Sequence, residues 1–189
     1  MKRPNIFLIL LTCSLSMILF TMCSRRSALP DGLYTITVCA TTDVHGHYFD
    51  STYINPNQTE SSLAKVSSYF KEVRVADPDA IFIDNGDNLQ GDHAAFYYNY
   101  VDTVSTHLLA RIMKYMGYSA VVVGNHDVEA GHAVYDHFRY QLELPYLAAN
   151  TPVVGSRRSA PYFGEYAILN AGAMRVALIG YTNPNIKSW

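Results

Sequence analysis

From about residue 33 onward, short apolar blocks alternate with longer stretches in which apolar residues recur every three or four positions. Residues 33–40 (LYTITVCA) are β-branched and aromatic, which predicts a strand. Leu63, Val66, Phe70 and Val73 follow helical spacing, and Asp77-Pro78 ends that helix. Residues 80–84 (AIFID) form a second apolar block that runs straight into Asn85-Gly86-Asp87. Val101, Val104, Leu108, Ile112 and Met116 again step by three or four, with Gly117 where a C-cap belongs. Residues 120–123 predict a buried strand leading into Gly124-Asn125-His126-Asp127, residues 130–142 a helix, and residues 145–149 another strand. Residues 166–169 and 174–180 flank Asn170-Ala171-Gly172 and read as a hairpin. Strands alternating with helices at this spacing predict an α/β layered domain.

The first 32 residues follow a different pattern. Lys2 and Arg3 precede an apolar run over residues 6–20, interrupted by Thr12, Cys13, Ser14 and Ser16. A basic start and so short a run fit a secretory signal better than a spanning helix, which needs about 20 apolar residues; an uncleaved membrane anchor is the alternative. Cys23 stands where a lipoprotein signal places its lipidated cysteine. The expected organisation is therefore a lipoprotein-type signal over residues 1–23, a Pro/Gly-containing linker over 24–32, and a folded part over 33–189. The protein is then exported, periplasmic or anchored to the membrane at the cell envelope through Cys23. Cys39, inside the first strand, is expected to be a buried thiol.

Composition narrows the functional classes. Of 189 residues, 49% are hydrophobic and 16% charged, enough apolar surface for a core. A formal net charge of -2, without a run of Lys or Arg, argues against a nucleic-acid scaffold protein. Three cysteines do not make a disulfide framework.

The chemistry lies where the polar residues fall. Asp43, Asp87 and Asn125 each follow the C-terminal end of a different apolar strand, the edge at which open α/β sheets bind ligands. Asp43 and His45 are two residues apart, and continued strand geometry would point both the same way, toward one cation. Asp87 adds a carboxylate able to bridge two cations, and Asn125 a neutral carbonyl beside the imidazole of His126. Such a set suggests a two-metal hydrolase, in which paired divalent cations clamp a phosphate and acidify a water. His126 would steady the phosphoryl oxygens or protonate the leaving alkoxide.

Three segments in order, TTDVHG, IDNGDNLQGD and VVVGNHDVEAG, resemble the calcineurin-like metallophosphoesterases. Within them the chain is most similar to exported 5'-nucleotidases and 2',3'-cyclic-nucleotide 2'-phosphodiesterase/3'-nucleotidases. The stretch Asp84-Asn85-Gly86-Asp87 with Gln90-Gly91, and the segment from Asn183-Pro184 to Trp189, look more like the cyclic-phosphodiesterase branch. The resemblance implies a layered αββα sandwich, incomplete at the C-terminus, and a site using two divalent metal ions. It implies Asp43 and His45 as ligands of the first ion, Asp87 as the bridge, Asn125 on the second ion and His126 as the catalytic histidine. Glu129 stands where 5'-nucleotidases hold the aspartate that pairs with that histidine. The family's further histidines lie downstream of this sequence, in which no histidine follows His137. The chain thus reads as the N-terminal half of a catalytic domain, without the C-terminal half or the domain that holds the nucleobase. Weak metal binding and little turnover are expected of it alone. The implied substrate is a nucleotide or cyclic nucleotide; the same fold acting on another ester, or a non-catalytic ligand-binding lipoprotein, are the alternatives.

Other polar residues stay open at this point. His47 reads as a rim residue, and His93 as either near a substrate phosphate or solvated in a loop. His107, His132 and His137 read as surface or packing residues of helices. Asp92 and Asp127 are either partners that fix a ligand imidazole or loop acids. Tyr97, Tyr98 and Tyr100 are expected to pack against the sheet rather than stack on a base.

Overall fold

A computed structural model describes residues 29–51, 61–155 and 160–185. The expected signal over 1–23, Cys23 and the end of the chain over 186–189 lie outside the described residues. The chain divides into two units, Met1–Leu33 and Tyr34–Trp189; the second carries all the elements below. No helix among the described residues is long and apolar enough to cross a membrane.

Four parallel strands form the central sheet in the order β1 (Val38–Thr41), β2 (Ile81–Asp84), β3 (Ala120–Val122) and β4 (Tyr146–Leu147). Helices α1 (Leu63–Ala76), α2 (His93–Tyr100), α3 (Leu108–Met116), α4 (Asn125–Glu129) and α5 (His132–Leu142) connect them. An antiparallel hairpin, β5 (Tyr166–Ala171) and β6 (Met174–Ile179), closes the order.

Alternation along the strands sorts the layers. Phe82, Val121, Val123 and Tyr146 share a core with Phe70 of α1, Met113 of α3 and Phe138 of α5. Ala120 and Leu147 point the other way and meet Ala167, Leu169 and Leu178 of the hairpin. Helices thus cover one face of the parallel sheet and the hairpin covers the other. Tyr166, Ile168 and Ile179, on the hairpin's outer face, are exposed, and no helix among the described residues covers them. A fully buried Phe82 or Phe138 contributes about 1.5–3 kcal/mol relative to exposure. Arg74 of α1 reinforces this layer, its guanidinium 4.4 Å from the Phe82 ring centre and donating to the Met116 carbonyl at 2.9 Å.

Several elements differ from the sequence expectation. The first strand occupies only Val38–Thr41, because the ladder extends only as far as β2 pairs with it. Cys39 is accordingly half-buried rather than buried. The helix expected from Val101 begins at Leu108. Asp102 accepts from the backbone N–H groups of Val104 and Ser105 in a turn, and His107 Nδ1 then caps α3 by accepting from Leu109 N–H at 3.2 Å. The helix expected over 130–142 is α5, which starts at His132; a separate short helix not expected from the sequence, α4, precedes it, with Gly131 at φ 81° between the two. The hairpin strands include Asn170 and Ala171, so the turn falls on Gly172 and Ala173.

Candidate metal centre

Strand β1 ends at Thr41, so Asp43 and His45 are not brought together by strand alternation. Both lie in the left-handed region, at φ 54° and 48°, and so does Asp87 in the loop after β2, at φ 61°. Non-glycine residues there cost on the order of 1–3 kcal/mol each and persist only where surrounding structure holds them. Here the two loops hold each other. Asp43 N–H donates to the Gly86 carbonyl and His45 N–H to the Asp87 carbonyl, both at 3.0 Å, while Asp92 N–H donates to the His45 carbonyl at 2.8 Å.

The result is convergence of donors. One ligand atom from each of Asp43, His45 and Asp87 lies within 4.8 Å of the others. The Asp43 side chain is 59% exposed and that of His45 28%, so the cluster opens to solvent. A carbonyl oxygen only accepts, so the 2.9 Å contact of His45 Nδ1 with the Gln90 carbonyl places the proton on Nδ1. The neutral ring then keeps its Nε2 lone pair for a cation, 4.0 Å from Asp43 Oδ1. This donor set, two carboxylates and an imidazole with its tautomer fixed, fits a divalent ion.

The third loop joins through backbone contacts. Gly124 abuts the Asp87 loop so closely that a Cβ there would lie 2.1 Å from Asp87 Oδ1, and one on Gly86 would lie 2.3 Å from Gly124 N. His126 N–H donates to Asp87 Oδ1 at 2.8 Å, and the His126 and His45 ring centres are 5.4 Å apart. Asn125, half-buried, opens α4 between these two contact residues. Glu129 reaches back one helical turn, its Oε1 3.0 Å from His126 Nδ1. That hydrogen bond raises the His126 pKa, outweighing partial burial, which lowers it.

Beneath the loops lie two buried carboxylates. Asp127 is neither a partner of a ligand imidazole nor a solvated loop acid: it binds backbone from two loops. Its Oδ2 accepts from Asp87 N–H at 3.1 Å and Gly124 N–H at 2.8 Å; its Oδ1 accepts from Asn88 N–H at 2.7 Å and Leu89 N–H at 2.8 Å. The bond to Gly124 N–H is a third-position acid reaching back to its helix's N-cap. Burial pushes the Asp127 pKa up against the pull of these bonds. Asp84, to which sequence reasoning gave no role at the site, accepts from Gly86 N–H at 2.9 Å and from Thr41 Oγ1 and Asn88 Nδ2, both at 2.5 Å. Burial raises its pKa to about 6. The available signal was an acid at the end of an otherwise apolar strand block.

Of the residues left open, His47 is exposed, contacts the Val44 carbonyl and borders, with Asp43, a cavity of about 290 Å³. Asp92 caps α2 and accepts from His93, whose side chain is 72% exposed. His107 is buried, with Nε2 3.1 Å from Asn99 Oδ1. His132 meets Asp136 and Tyr162 near the surface, and His137 meets Gln141. Tyr98 lies against His107. Tyr97 and Tyr100, however, are 47% and 52% exposed, so they do not pack against the sheet as expected: α2 turns them outward.

The sequence profile described as calcineurin-like phosphoesterase matches residues 36–180. A trifunctional nucleotide phosphoesterase protein, YfkN, of Bacillus subtilis is 30% identical over 167 residues, covering 82% of this chain and 11% of that protein. A bovine (Bos taurus) 5'-nucleotidase is 27% identical, over 79% of this chain and 26% of that protein. A 2',3'-cyclic-nucleotide 2'-phosphodiesterase/3'-nucleotidase of Yersinia enterocolitica is 26% identical, over all of this chain and 29% of that protein. The chain thus spans between about a tenth and three tenths of the length of these relatives. Among solved structures, the B. subtilis YfkN phosphoesterase superposes with a TM-score of 0.69, at 24% identity over 82% of this chain and 50% of that one. A 5'-nucleotidase described as putative from Staphylococcus aureus gives 0.70, at 24% identity over 82% of this chain and 30% of that one.

Proposed function

We propose, from the premise that the chain belongs to the calcineurin-like phosphoesterase family, that it forms the first part of a centre hydrolysing phosphate esters of nucleotides, of the 5'-nucleotidase or 2',3'-cyclic-nucleotide 2'-phosphodiesterase/3'-nucleotidase type. The observation that carries this reading is the convergence of Asp43, His45 and Asp87 within 4.8 Å, on loops strained into the left-handed region. Asp43 and His45 would hold a first divalent ion, with Asp87 as a ligand common to it and to a second, to which Asn125 would offer its side-chain oxygen. An oxygen and nitrogen donor set of this kind accepts zinc, manganese or iron. When bound, the ions draw charge from phosphoryl oxygens and lower the pKa of a water.

The chain's own residues supply the rest. Glu129 holds Nδ1 of His126 and favours the protonated imidazole. A proton on Nε2 is then available to a phosphoryl oxygen or to the departing alkoxide. The neutral Asn125, in place of a third carboxylate, keeps the centre positive for an anionic substrate. Among the described residues the second ion would find only Asp87 and Asn125, which supports weak binding there and little turnover. Export, with residues 1–23 as the signal and Cys23 lipidated, completes the reading: an enzyme acting on nucleotides outside the cytoplasm, with residues 33–189 as its first folded part.

The test is a substrate panel of 5'-nucleotides, 3'-nucleotides, 2',3'-cyclic nucleotides and bis(p-nitrophenyl) phosphate. It is run with manganese or zinc on the polypeptide made from the native locus. Metal-dependent cleavage of a nucleotide, abolished by Asp87→Asn, is expected. Cleavage of the synthetic diester alone would overturn the nucleotide assignment, and no cleavage at all would overturn the phosphoesterase reading.

A further inference from the structure

Asp84 is fully buried at the end of β2, the strand between β1 and β3. Ile81, Phe82 and Ile83 make up the rest of that strand, so packing alone would place an apolar residue there. A buried carboxylate is costly unless neighbouring donors replace its water. Its donors are specific. Oδ1 accepts from Gly86 N–H at 2.9 Å and from Asn88 Nδ2 at 2.5 Å, the residues on either side of Asp87. Oδ2 accepts from the hydroxyl of Thr41, the last residue of β1 and the root of the loop bearing Asp43 and His45. Thr41 Oγ1 also lies 2.8 Å from Tyr118 OH. With the Thr41 proton given to Asp84, the proton in that contact comes from Tyr118, whose pKa burial raises. Tyr118 stands two residues before β3, so one chain of hydrogen bonds, Tyr118 to Thr41 to Asp84, joins the three strands whose loops form the centre. Asn88 carries a further sign. It is buried, and its Oδ1 meets no partner among the described residues. That unmet acceptor is tolerated where the same amide makes the bond to Asp84.

We infer that Asp84 is a positioning residue for Asp87, holding both flanks of that ligand so that its carboxylate meets the Asp43–His45 loop; the inference rests on the assignment of Asp87 as a metal ligand given above. Gripping Gly86 and Asn88 leaves the backbone between them little freedom, and Asp87 keeps its φ of 61° there. Asp127 has a different place. It takes N–H groups of the same loop and of Gly124, and so ties the second loop to the third. Asp84 ties the second to the first through Thr41. A buried anion also attracts a cation by charge alone, and Asp84→Asn separates the two effects. Its amide oxygen can accept from Gly86 and Asn88 as Oδ1 does, and its NH2 can donate to Thr41, whose hydroxyl then turns to Tyr118. The bonds stay and the charge is gone. Asp84→Ala removes both.

Manganese affinity is measured by isothermal titration calorimetry near pH 8, where Asp84, with its pKa at about 6, is ionised. Asp84→Ala should weaken binding at least about tenfold, the lower range for residues that orient metal ligands. Asp84→Asn should stay within about threefold of the parent, since its hydrogen bonds are kept. Thr41→Val, nearly isosteric, should weaken binding at least about threefold, and it decides the matter if circular dichroism shows Asp84→Ala unfolded. Leu142→Ala, in the core on α5, controls for lost stability and should leave the affinity unchanged. In the metal-free chain the Asp87 amide and Hα shifts, which report its φ by NMR, should move in Asp84→Ala and stay in Asp84→Asn. Three results would each overturn the positioning role and leave the metal centre standing: affinity unchanged in Asp84→Ala and Thr41→Val, equal losses in Asp84→Ala and Asp84→Asn, or as large a fall in Leu142→Ala. A parent that binds no manganese would overturn the metal assignment itself, and the Asp87 shifts then decide the positioning role alone.

Discussion

Replacing Asp127 with asparagine removes one acceptor end from a side chain that holds four backbone N–H groups. Whichever way the amide faces, two of the donors among Asp87, Asn88, Leu89 and Gly124 meet an NH2 group instead of an oxygen. A buried donor without a partner costs about 1–3 kcal/mol, so two cost roughly 2–6 kcal/mol. Burial penalises the ionised Asp127, and asparagine relieves that part of the cost. A net loss of about 3 kcal/mol is expected, a large share of the 5–15 kcal/mol typical of a folded domain. Urea unfolding followed by circular dichroism should show the midpoint falling by about 1.5 M, for a slope near 2 kcal/mol per M. Because Asp87 and Gly124 are the groups released, manganese affinity should fall at least about tenfold in the same variant. Asp127→Ala, which releases all four donors, should be worse on both counts. A midpoint within about 0.3 M of the parent, with manganese affinity unchanged, would refute the view that Asp127 sets the loops.

Gly124→Ala should abolish metal uptake and lower stability, because its Cβ would lie 2.1 Å from Asp87 Oδ1; thermal unfolding and manganese titration check both. His107 is buried neutral, which lowers its pKa from 6.5 to about 4. Between those values the unfolded chain binds a proton that the folded chain does not, so this contribution to stability falls as pH falls. The stability advantage of the parent over His107→Gln should therefore shrink by about 3 kcal/mol between pH 7 and pH 4. Asp84, raised to about 6, acts with the opposite sign but is common to both proteins and drops out of the difference. In metal-free protein, Glu129→Gln should lower the His126 pKa, read from its imidazole shifts by NMR, since the bond to Glu129 is what raises it.

Much of this arrangement was legible in the residues. The helix from Leu63 to Ala76 and the strands carrying Asp84 and Val121 announce themselves by apolar period, and the polar residues after each strand mark the binding edge. The means of convergence was not legible. Asp43, His45 and Asp87 meet through left-handed backbone held by bonds between loops, and no local pattern encodes a contact with residues some 40 positions away. Asp127 was hidden for the same reason: its role lies in whose N–H groups it reaches. Helix α2 escaped notice because its aromatic and alanine residues show no single apolar face, and Asp102 turned the expected helix aside before α3.

The central claim is that Asp43, His45 and Asp87 hold a divalent ion. Electron paramagnetic resonance of manganese added to the metal-free chain tests it most directly, since the sharp signal of the free ion is lost on binding. At least one ion per chain should be taken up, with nitrogen coupling that vanishes in His45→Gln, and binding should collapse in Asp87→Ala. An undiminished free-ion signal, or uptake indifferent to both substitutions, would contradict it.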